Sequence, residues 1–146
     1  MRRSVFSFQT IIVLTTLSVI ISNLLSSVHF IPLTMAGVLF HLTKESLDQK
    51  SYYSLIIILI GFLFIESTQG FAIFSLFIIS FVLYTIILPF IKRIFTFDKF
   101  KIIFDTIIFY LLILLINFLV TNEFLLSIGF LLLNIVVDIL IIGLFL

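Results

Sequence analysis

Cysteine is absent from this 146-residue chain, proline occurs twice, glycine five times, and charge is scarce. Without cysteine there can be no disulfide, thiolate metal site or thiol nucleophile. Asp, Glu, Lys and Arg make up 10% of the residues, where an ordinary soluble domain has about 25%. Eight basic residues and a net charge of +1 leave no footprint for a nucleic-acid backbone. No HExxH, GxSxG or phosphate-loop spacing occurs, so no motif announces an enzyme or a cofactor. The alternating apolar pattern of a membrane β-barrel is also missing.

Apolar side chains take up that room. They form 63% of the chain, with 20 phenylalanines. A soluble domain is about 45–50% apolar, and a chain this short cannot bury such an excess. The composition therefore predicts an all-α integral membrane protein forming one membrane domain over 1–146. Six spans follow from the apolar runs, at about 5–25, 30–43, 52–65, 71–91, 102–120 and 124–146. Met1-Arg2-Arg3 precedes a run longer than a signal-peptide core, with no A-x-A-like site after it, so the first span is read as uncleaved. Pro32 suits the first turn of the second span, and Ala36-Gly37 suits close helix packing. Pro89 should end or bend the fourth span.

Between the spans lie short polar stretches. Lys44–Ser51 reads as a solvated loop. Lys92–Lys101 interleaves basic and aromatic residues, as in a segment lying on an anionic leaflet. Asp105 is expected to pair with Lys101 one helical turn away. All eight basic residues fall in the amino tail or in the loops after the second and fourth spans. The positive-inside rule then puts both termini in the cytoplasm, and Glu66 and Glu123 outside.

A few polar residues stand out against the lipid-like background. Ser4, Thr15, Ser18, Ser22 and Ser26 share a stripe on the first span, read as packing within the bundle. Thr106, Tyr110 and Asn117 share a face of the fifth span. Asn134 and Asp138 lie four apart on the sixth. A carboxylate deep in a span costs about 2.5–3.5 kcal/mol on insertion scales. Asp138 is therefore expected to face the bundle, bonded to Asn134 or to the hydroxyls of the first span, or else to carry a proton or ion.

The central stretch Gly61–Gly70, GFLFIESTQG, reads as a hairpin: an apolar run, Glu66, a small polar turn and Gly70, leading into Phe71–Ile91. This pattern, with Pro32, Asn134 and Asp138, resembles the rod shape-determining protein MreD family, although the family more often has Asp where this chain has Glu66. The resemblance implies a non-enzymatic inner-membrane scaffold that binds a bitopic MreC-like protein. It also implies work with MreB and the peptidoglycan synthases of the elongating side wall. The family's fold is similar to the six-helix substrate-binding subunits of energy-coupling-factor vitamin transporters. A transporter subunit is thus the alternative function. Against it, the first span lacks the alanines through which those subunits meet their coupling partner. An accessory subunit of an ion-translocating complex would rest on Asp138 alone.

Overall fold

The computed structural model describes residues 5–29, 35–94, 101–121 and 128–145, and among them all regular structure is helical. Helix α1 spans Val5–His29, α2 Ala36–Asp48 and α3 Tyr52–Gln69. Helix α4 begins as Ser75–Val82, widens into a π turn over Leu83–Ile87, and continues as Leu88–Ile94. Helix α5 covers Lys101–Thr121 and α6 Ile128–Phe145. Pro32, Glu123 and most of the basic-aromatic stretch after Lys92 lie outside the described residues.

Three helices, α1, α3 and α5, are long and apolar enough to cross a membrane, and Ser75–Ile91 and Gly129–Leu144 are shorter apolar stretches. Helix α2 is different. Its 13 residues reach only about 20 Å, and Ala36, Val38, Leu39, Phe40 and Leu42 are fully buried. It packs against α1, α3, α4, α5 and α6. Helix α2 thus lies inside a sheath formed by the other helices. Phe40 stacks on Phe109 of α5 with ring centroids 4.8 Å apart, a contact worth about 0.5–1.5 kcal/mol beyond burial.

The contacts also fix direction. Gln9, Thr10 and Val13 of α1 share a groove with Tyr53 and Ile57 of α3, and Thr16 meets Gly61, so these helices run parallel. Lys44 pairs with Asp105, and Gly37 meets Thr106 and Tyr110; α2 and α5 are antiparallel. Gly37 meets Asp138, while His41 and Lys44 share a cleft with Ile142; α2 and α6 are parallel. Tyr84 reaches Asp48. The helices therefore alternate in direction. The start of α1, the α2–α3 turn, the carboxyl end of α4 and the start of α5 gather at one end, together with Lys44, Lys50, Arg93 and Lys101.

Several elements differ from the sequence reading for clear reasons. Lys44–Asp48 is helix and not loop, because Lys44 finds a buried partner and Ser46 is itself buried. Helix α3 runs four residues past Ile65, and α4 starts at Ser75, so the reversal is the apolar Gly70–Phe74 and not the polar Glu66–Gln69. On α1 the inward face is Phe8, Ile12, Thr16, Val19 and Asn23. Of the hydroxyl stripe, Ser18 is exposed, Thr15 and Ser22 are half-buried, and Thr15 turns its hydroxyl back to the Ile11 carbonyl; Ser4 and the Ser26 side chain lie outside the described residues. Asp105 pairs with Lys44 and not with Lys101. The π turn is attributable to Pro89: its ring clashes with the carbonyl four residues back, and the Leu88 N–H reaches the Leu83 carbonyl instead.

Candidate functional site: two carboxylates that start two helices

A helix start leaves backbone N–H groups without intrahelical acceptors, normally met by a Ser, Thr, Asp or Asn at the N-cap. Helices α2 and α4 begin with Met35 and Phe74 at that position, and neither has an oxygen to offer. Both residues adopt the left-handed conformation, with φ of 63° and 66°, which side chains other than glycine and asparagine resist by roughly 1–2 kcal/mol. In each case a carboxylate from another helix supplies the missing acceptor.

At α4 the acceptor is Glu66, which is 1% exposed. The Phe74 N–H donates to its Oε2 at 2.7 Å, the Leu76 N–H to Oε1 at 2.6 Å, and the Ser75 hydroxyl to Oε1 at 3.4 Å. The positive end of the α4 dipole faces the carboxylate and adds to these bonds. The main chain of the same residue closes α3. Its carbonyl accepts the N–H of Gly70 and that of Phe71 at 3.1 Å. Gly70 takes φ 73° there, the left-handed cap that glycine accepts without strain. Glu66 therefore ends one helix with its backbone and starts the next with its side chain.

At α2 the acceptor is Asp138 of α6, fully buried. The Gly37 N–H donates to Oδ2 at 2.8 Å and the Tyr110 hydroxyl donates to the same oxygen at 2.5 Å. The Gly37 N–H also lies 3.4 Å from the Tyr110 oxygen. Gly37 has no room for a side chain: a Cβ would stand 2.6 Å from Asp138 Oδ2 and 3.1 Å from the Thr106 methyl.

The other singled-out residues play separate parts. Gly61 is buried where α1, α2 and α3 converge, and a Cβ there would meet Thr16 at 3.0 Å and Leu39 at 3.1 Å. Asn134 is buried one turn before Asp138 on α6, and Asn117 is half-buried on α5. Asp138 meets its donors on α2 and α5, so the expected bond to the first span is replaced by bonds to Tyr110 and the start of α2. Glu66 and Asp138 belong to two distinct sites, one at the α3–α4 reversal and one at the bundle centre.

At the basic end, Lys44 and Asp105 form an ion pair whose side chains are 12% and 4% exposed. Beside it a cleft of about 230 Å³ is lined by His41, Lys44, Glu45, Asp48, Ile102 and Ile142. Sequence reasoning missed the Lys44–Asp105 and Tyr84–Asp48 links, since 61 and 36 residues separate the partners. No protein-family model, curated protein or solved structure matches this chain.

Proposed function

We propose that the protein is a six-span inner-membrane scaffold of the bacterial cell-wall elongation machinery, of the MreD kind, which holds an MreC-like partner. The observation that carries this reading is the role of Glu66. Of the residues on which the resemblance rests, Glu66 and Gly70 together build the α3–α4 hairpin, and Gly61 seats the same α3 against α1 and α2. Such a hairpin suits a protein whose task is to present a fixed surface to other membrane proteins. The long apolar helices support membrane residence. So do their outer faces, where Leu14, Ile21, Ile60, Leu111, Leu115 and Leu140 are all more than half exposed. Soluble monomers rarely show such continuous apolar surface.

The clustering of Lys44, Lys50, Arg93 and Lys101 at one end supports a cytoplasmic placement of that end and of both termini. The α3–α4 reversal then faces outward. The dense packing around α2, where Phe40, Leu39 and Phe109 are fully buried, suits a scaffold better than a ligand-binding subunit.

The test is a mild-detergent pull-down of the tagged protein from its native host, with partners identified by mass spectrometry. Recovery of an MreC-like protein or of peptidoglycan synthases is the expected result, and depletion should turn rods into spheres. Recovery of transporter ATPases with a coupling membrane protein, and unchanged rod shape, would overturn the scaffold in favour of a vitamin transporter subunit.

A further inference from the structure

The two carboxylates that start helices are bonded in opposite ways. Glu66 uses both oxygens: Oε2 accepts one N–H, and Oε1 accepts another together with a hydroxyl. An ionised carboxylate accepts at both oxygens and donates nothing, and Glu66 matches that inventory. Asp138 receives the Gly37 N–H and the Tyr110 hydroxyl on Oδ2; the Val38 N–H also faces the carboxyl group, but Oδ1 is buried without a full hydrogen bond among the described residues.

A neutral carboxylic acid has a carbonyl oxygen with two lone pairs and a hydroxyl oxygen that carries the proton. Two donors converging on one oxygen fill the carbonyl's capacity. A carboxylate in this place would leave half its charge on an oxygen that no donor meets in full hydrogen-bond geometry, at a cost of burial.

The surroundings offer no full compensating charge: the amino end of α2, with its dipole and the Gly37 and Val38 N–H groups, supplies only a partial one. From α2, Asp138 meets the Gly37 N–H, with His41 one turn further along. From α5 it meets the uncharged Tyr110 hydroxyl and Thr106; Asp105, one turn away, is committed to Lys44. On its own helix the nearest polar residue on that face is Asn134. We infer that Asp138 is a proton-binding site: it holds a proton on Oδ1, where an unmatched O–H costs less to bury than a charge, and serves the start of α2 as a neutral acid, whereas Glu66 serves α4 as an anion. The inference is independent of the scaffold reading.

The chain carries four aspartates, Asp48, Asp98, Asp105 and Asp138, so the protonation state can be read in the unaltered protein. The protein would be labelled with carbon-13 at the aspartate side-chain carboxyl and held in lipid bilayers. One carboxyl resonance should then sit at the neutral-acid position at neutral pH while the others sit at the carboxylate position. Infrared spectroscopy should show one acid C=O band that shifts in deuterium oxide. Both signals should be lost in Asp138→Asn, which keeps the shape of the acid. Four carboxylate resonances, or an acid signal that persists in Asp138→Asn, would overturn the assignment.

Discussion

Glu66 illustrates how much one side chain can decide. Replacing one carboxylate oxygen with an amide, as in Glu66→Gln, sets an N–H₂ against backbone donors that already point at it. Hydrogen bonds to charged groups are worth about 1.5–3 kcal/mol each, and Glu66→Gln should lower unfolding stability in detergent by about that much. Glycines separate by environment in the same assay. Gly37→Ala meets Asp138 Oδ2 at 2.6 Å and should cost about 1–3 kcal/mol by overpacking. Gly143 lies in α6 with nothing within 4 Å of an added Cβ, so Gly143→Ala should be neutral or stabilise by up to about 1 kcal/mol. Equal effects of the two substitutions would contradict the packing described for Gly37. At this scale the sequence singled out the right acids but not what they do. Their partners are backbone N–H groups, which no residue type reveals, and Tyr110, which lies 28 positions from Asp138.

Among the helices, the apolar runs located α1, α3 and α5 within a few residues at most ends, because nothing polar interrupts them. They misplaced α2 by about half its length. Its carboxyl half, His41–Asp48, is polar in sequence yet largely packed, with Leu42, Thr43 and Ser46 buried and Lys44 neutralised by Asp105 from a helix far along the chain. Breaking one side of a buried pair leaves the other charge stranded, at about 3–5 kcal/mol. Lys44→Met and Asp105→Leu should each destabilise by that order, while the double variant should lose far less than the two combined. Additive losses would show that the pair does not act as a unit.

The π turn in α4 offers a second test of local geometry. It places the Tyr84 hydroxyl 2.5 Å from Asp48 Oδ1. Pro89→Ala removes the clash that widens the helix, and should rotate Tyr84 away from Asp48. Tyr84→Phe should then cost about 1 kcal/mol in the parent protein and nothing in the Pro89→Ala background.

The six alternating helices form a bundle whose shortest member is packed among the others and whose described basic residues, Lys44, Lys50, Arg93 and Lys101, collect at one end. The alternation was legible because the basic residues recur only in the amino tail and the even connections. The enclosure of α2 was not, because a 13-residue helix among longer neighbours is a property of packing and leaves no mark on composition. The central claim is that this bundle spans the membrane with its basic end in the cytoplasm and the Glu66-held reversal outside. The absence of native cysteine allows a direct test. Ser67 and Gln49 are both exposed, at opposite ends of the bundle. In intact cells a membrane-impermeant maleimide should label Ser67→Cys, and should label Gln49→Cys only after permeabilisation; the reverse pattern, or labelling of both from outside, would contradict the account.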